Sequence, residues 1–132
     1  MLTQKKHSVL LLLLLIGLAF GAQTASAKVS VTKPNIGQNF EYQILIFGEP
    51  TSYIPPSFEG FNKISGPNTS ATYQVKDGVT SNSMRIYWTL SPKKAGKIRI
   101  APATVVFGET RLQTKGFKLK VRNKIDKHIQ LN

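Results

Sequence analysis

Residues 83–121 read SMRIYWTLSPKKAGKIRIAPATVVFGETRLQTKGFKLKV, and their alternation decides the fold class. Met84, Ile86, Trp88 and Leu90 recur at every second position. An extended chain therefore gathers them on one side and turns Arg85, Tyr87 and Thr89 to the other. Pro92 and Gly96 occupy turn-favouring places in SPKKAG, so residues 91–96 are expected to reverse the chain. Beyond them Ile98 and Ile100 share a face, residues 104–107 run into Gly108-Glu109, and Phe117, Leu119 and Val121 alternate with Lys118 and Lys120. Trp88, between Ile86 and Leu90 on the apolar side, is expected at the centre of the core.

Upstream the same period continues. A short first strand is expected at residues 29–32, ended by Lys33-Pro34-Asn35. Phe40, Tyr42, Ile44 and Ile46 then alternate with Glu41, Gln43, Leu45 and Phe47, a long strand whose second face turns apolar at its end and is expected to be covered there on both sides. Gly48-Glu49-Pro50 breaks it. Pro55-Pro56 forces an extended, non-helical stretch that reads as a loop or an edge strand. Strands are expected at 61–65 and 71–75, the first closed by Gly66-Pro67-Asn68, and Asp77-Gly78 suits a type I′ hairpin turn that needs positive φ twice. No helical period appears. About seven or eight short strands with frequent turn signals predict an all-β fold, an antiparallel immunoglobulin-like β-sandwich.

The start of the chain has a different grammar. Lys5 and Lys6 precede an unbroken apolar run at 9–20, and Ala25-Ser26-Ala27 follows as a small-x-small site. These features describe a secretory signal peptide over 1–27, with cleavage expected after Ala27 and the sandwich occupying 28–122. The apolar run is short for a membrane span. If it is not cleaved, the protein stays at the inner membrane; if it is, the product is exported to the periplasm. Residues 123–132 are polar and read as a tail.

Composition narrows the function classes. The chain has no cysteine, which removes disulfides, thiolate metal sites and a cysteine nucleophile, and tilts the source toward a bacterial envelope. Eighteen basic residues against six acidic ones give a net charge of +12, and setting aside Lys5 and Lys6 leaves +10. Such an excess attracts anionic surfaces in a salt-sensitive way, and export makes nucleic acid an unsuitable partner.

A search for catalytic chemistry finds little. His128 is the one histidine after the leader, so the fold offers neither a histidine triad nor a two-histidine metal site. Glu49, Asp77 and Glu109 stand near turns, Glu41 on a polar strand face. No phosphate-binding glycine loop or nucleophile elbow is present. No catalytic residue, cofactor site or metal site is assigned, and a non-enzymatic role is expected. One constellation suits binding. Lys97 and Arg99 alternate with Ile98 and Ile100, while Lys118, Lys120 and Arg122 alternate with Leu119 and Val121. Were the two strands neighbours, these five residues would form a basic patch for an acidic partner or an anionic membrane surface. The competing expectation is that lysines on outer faces keep a β protein soluble and its edges unpaired.

Several short segments, in order, resemble a known family. They are FNKISGP at 61–67, the Ser/Thr-rich approach at 68–72, KDG at 76–78, YWTLSPKKAG at 87–96, residues 98–103, 105–108 and the closing strand at 117–121. Together they resemble the first extracytoplasmic domain of the BatD, or oxygen-tolerance, family of bacterial envelope proteins, encoded beside MoxR-type ATPases and von Willebrand factor A-domain proteins. The resemblance covers most of the chain after the leader. It implies a scaffold or interaction domain in a system associated with aerotolerance and stress, with envelope-bound A-domain proteins as partners. Typical members are longer and carry a carboxy-terminal transmembrane helix, so anchoring is not carried over. An independent basic β-domain that binds anionic lipid or polysaccharide is the alternative reading.

Overall fold

The computed structural model describes residues 23–123. Most of the expected leader and nearly all of the polar tail, His128 included, lie outside the described residues. Nine strands follow in chain order: β1 (Thr24–Val29), β2 (Phe40–Phe47), β3 (Ser52–Ile54), β4 (Phe61–Lys76), β5 (Val79–Pro92), β6 (Gly96–Ile100), β7 (Thr104–Phe107), β8 (Thr110–Gln113) and β9 (Phe117–Val121).

One layer is a four-stranded antiparallel sheet in the order β1-β2-β5-β4. The other is built on a single bent hairpin. Ile100 stands opposite Phe117 in the β6–β9 pair, and Thr104 stands opposite Gln113 in the β7–β8 pair. The register is thus the same on both sides of the bend, and β6 with β7, and β9 with β8, are halves of two long strands. Thr114 holds the bend: its N–H donates to the Ala103 carbonyl at 2.9 Å, and its Oγ1 accepts from the Ala103 N–H at 2.9 Å. β3 flanks β7. Four strands therefore face three, in the strand order of a constant-type immunoglobulin domain.

The chain also changes layer early. After β1 the Ser30 N–H still donates to the Glu41 carbonyl of the first sheet. Two residues later the Thr32 carbonyl accepts from Lys120, the Pro34 carbonyl from Arg122, and the Ile36 N–H donates to the Arg122 carbonyl. The segment 32–36 so lies parallel to the end of β9. Pro34 is fully buried at this crossing.

Between the layers lies one core. Phe40, Tyr42, Ile44 and Ile46 from β2 meet Ile86, Trp88 and Leu90 from β5, with Ile98, Ile100, Val105, Leu119 and Val121 from the opposite layer. Each fully buried aliphatic chain of this kind contributes about 1.5–3 kcal/mol. Trp88 sits where its flanking pattern put it, 1% exposed, with its ring centroid 5.2 Å from Phe58 and 5.9 Å from Tyr42. Phe58 is a plug the alternation did not announce. It comes from the loop before β4, at a φ of 57°, and is nearly buried.

Four expectations change. The first strand covers Thr24–Val29 instead of 29–32, so it crosses the expected cleavage position. The turn expected at Gly66-Pro67-Asn68 is an irregularity within one 16-residue strand, where the register against β5 shifts between Lys63 and Asn68 and the Gly66–Pro67 peptide is cis. Pro92 does not open the reversal: it ends β5, buried and opposite Phe61, and the bend is Lys93-Lys94-Ala95. Finally, the apolar end of β2 is not covered on both sides, since Phe47 is 44% exposed. The Asp77-Gly78 turn has positive φ at both residues, 52° and 75°, as a type I′ hairpin requires.

Candidate functional site

β6 and β9 are neighbours, and their register decides the geometry of the basic residues. Lys97 stands directly opposite Lys120, and Arg99 directly opposite Lys118. All four are exposed, because Ile98, Ile100, Leu119 and Val121 take the inward positions of the same strands. A shallow trough runs between them. Arg122 continues the β9 row and is exposed, its backbone held by the 32–36 segment. The structure brings all five expected residues onto the outward side of one layer.

Two further cations share this side. Lys33 precedes the buried Pro34 on the segment beside β9, and Arg111 precedes the half-buried Leu112 on β8, opposite Val106. Alternation turns both outward. The sequence signal for Arg111 was its place in TRLQ; the signal for Lys33 was absent, since only the crossing of the chain places it beside β9.

The electrostatics are one-sided. None of β3, β6, β7, β8 and β9 contains an Asp or Glu. Like charges directly across a ladder destabilise a sheet, and no carboxylate pairs with either rung among the described residues. The four-stranded layer is treated differently. There Arg85 Nη1 donates to Glu41 Oε1 at 3.2 Å and to Gln43 Oε1 at 3.0 Å, and its guanidinium lies 4.2 Å from the Tyr87 ring centroid. Arg85–Glu41 is the one ion pair among the described residues.

The other carboxylates do not converge. Glu49 accepts from Asn82 Nδ2 at 2.6 Å, and no group of three His, Cys, Asp or Glu residues that could hold a metal occurs among the described residues. A titratable group in the core is structural: burial pushes the Tyr42 phenol above its usual value of 10.0, partly offset by the nearby Thr114. No hydrogen bond to its hydroxyl closes within ordinary geometry.

A second exposed feature went unread in the sequence. β4 and β5 run on past the sandwich as a hairpin arm, with Tyr73, Val75 and Val79 exposed beyond the row where Thr72 pairs with Ser83. The expected break at Gly66-Pro67-Asn68 hid it, by dividing one long strand into two short ones. Gly48 ties the arm's base to the body through its N–H, which donates to the Asn82 carbonyl at 2.8 Å.

The family model described as the BatD DUF11-like domain matches residues 27–121, nearly the whole sandwich. The chain belongs to the BatD family. Membership associates it, at the level of the family, with the BatD-type aerotolerance system. The BatD match begins within β1 and ends at the last residue of β9, so it covers both layers and the basic strands. No curated protein and no solved structure matches the chain.

Proposed function

We propose that this BatD-family domain is a non-enzymatic docking module of the bacterial envelope whose basic face holds an acidic partner protein. The observation that carries this reading is the pair of like-charge rungs, Lys97 opposite Lys120 and Arg99 opposite Lys118, on a layer whose strands contain no carboxylate. A carboxylate-rich partner surface would relieve the repulsion that the sheet leaves standing, and would be drawn in by the same field. By family resemblance the partner is a von Willebrand factor A-domain protein of the same stress-associated system.

The test is co-purification. Full-length chain with Lys118→Glu and Lys120→Glu is expected to lose its A-domain partner from detergent-solubilised membranes at low salt, while the unchanged chain retains it and releases it as salt rises. Equal recovery by both chains, with circular dichroism showing the variant folded, would sink the reading. Recovery of acidic phospholipid or polysaccharide in place of protein would favour an anionic-surface binder instead.

A further inference from the structure

The registers of β1, β2, β5 and β4 place Thr24, Phe47, Ser83 and Thr72 in one row across the first sheet. β1 runs antiparallel to β2, and β2 antiparallel to β5, so β1 begins at the end of the sandwich from which the arm projects. The arm passes the row by five residues on each side of the hairpin, about 17 Å at the rise of a strand. The apolar run at 9–20 ends four residues before Thr24 in the sequence.

The side chains at this end fit a lipid boundary. Tyr73 and Val75 are 66% and 62% exposed, on the side of the arm that continues the core face, and Val79 is 43% exposed on the other. Phe47, 44% exposed, stands in the row itself. An exposed tyrosine with aliphatic neighbours suits the headgroup boundary, where an aromatic ring has one apolar side and one wet side. Lys76 and Asp77 at the turn cancel in charge.

β1 gives an independent reason to expect the run to stay attached. Ala25-Ser26-Ala27, the cleavage motif, is laddered against Ile46, Leu45 and Ile44, and Ala25 and Ala27 pack on the core. Cleavage after Ala27 would remove four of the six residues of β1 from β2.

We propose that the arm end of the sandwich rests on a lipid bilayer, with Phe47, Tyr73, Val75 and Val79 at its surface beside a retained apolar leader, and that the basic rungs of β6 and β9 are held away from it. Gly96 and Val121, which frame those rungs, lie at the end of the fold opposite the arm, while Phe107 at the far end of the bent hairpin reaches Gly48. This orientation is independent of which protein docks on the basic face, so the loss of partner binding in the Lys118/Lys120 variant neither supports nor removes it.

The chain has no cysteine, so single labels are clean. Full-length Val75→Cys and, separately, Lys120→Cys are labelled with an environment-sensitive fluorophore and reconstituted in vesicles of phosphatidylethanolamine and phosphatidylglycerol. Nitroxide placed near the lipid headgroups is expected to quench the label at 75 severalfold more strongly than the label at 120, with the leader intact by mass. Equal quenching at the two positions, no quenching at 75, or a mature chain beginning at Lys28 would overturn the proposal. So would a blue shift at 75 that grows with protein concentration and ignores the nitroxide, since a second copy would then cover the arm.

Discussion

Gly66 shows how a residue that reads as a turn signal can have a packing role. Its φ is 113°, and a Cβ at this position would lie 2.7 Å from Trp88 Cδ1 and 2.9 Å from Trp88 Cα. The glycine therefore lets β4 pass close over the ring that centres the core, at the place where the register against β5 slips. Gly66→Ala is expected to destabilise the fold by about 1–3 kcal/mol, through overpacking together with an unfavourable backbone angle. Urea unfolding measures this, and a midpoint equal to that of the unchanged chain would contradict it. The Ser65-Gly66-Pro67 wording thus has a physical reason that alternation alone did not supply.

The element that matters most is the ladder between β6 and β9. Its alternation was plain in the sequence, because Ile98, Ile100, Leu119 and Val121 are spaced two apart, but its pairing was not. Which strand lies beside which depends on a hairpin 26 residues long from Gly96 to Val121 whose bend at Thr114 carries no strong local signal. Lys120→Glu would place a carboxylate opposite Lys97 and turn a repulsive rung into an attractive one. Stability is expected to rise by about 0.2–1 kcal/mol, while partner retention falls. Chemical denaturation read beside the co-purification assay checks both, and a variant that is neither stabilised nor impaired would show that the rung is ordinary solvated surface. The hairpin arm was hidden for the opposite reason: its local signals, Gly66-Pro67-Asn68 above all, spoke for a break that the β5 ladder overrides.

At the scale of the whole molecule, an antiparallel sandwich of about seven or eight strands was legible from period and turn residues, because a strand buried on one face leaves its mark at every second position. The layer crossing at Pro34 and the inward plug at Phe58 were not, since each depends on partners far away in sequence. The single core also makes stability respond to pH through Tyr42. Burial holds the folded phenol protonated to a higher pH than the unfolded one. Stability is therefore intact below about pH 10 and declines as pH rises beyond it. Tyr42→Phe is expected to flatten that decline in urea midpoints followed between about pH 8 and pH 11; an unchanged slope would remove Tyr42 as its cause.

The parallel seam between residues 32–36 and the end of β9 has a mechanical consequence. Its three hydrogen bonds join the segment just after the first strand to the last strand, and the two run in the same direction. A pull that separates the two ends of the domain slides these segments past each other, so all three bonds resist together instead of opening one by one. A domain wired in this way bears tension along its length and yields only when the whole seam shears.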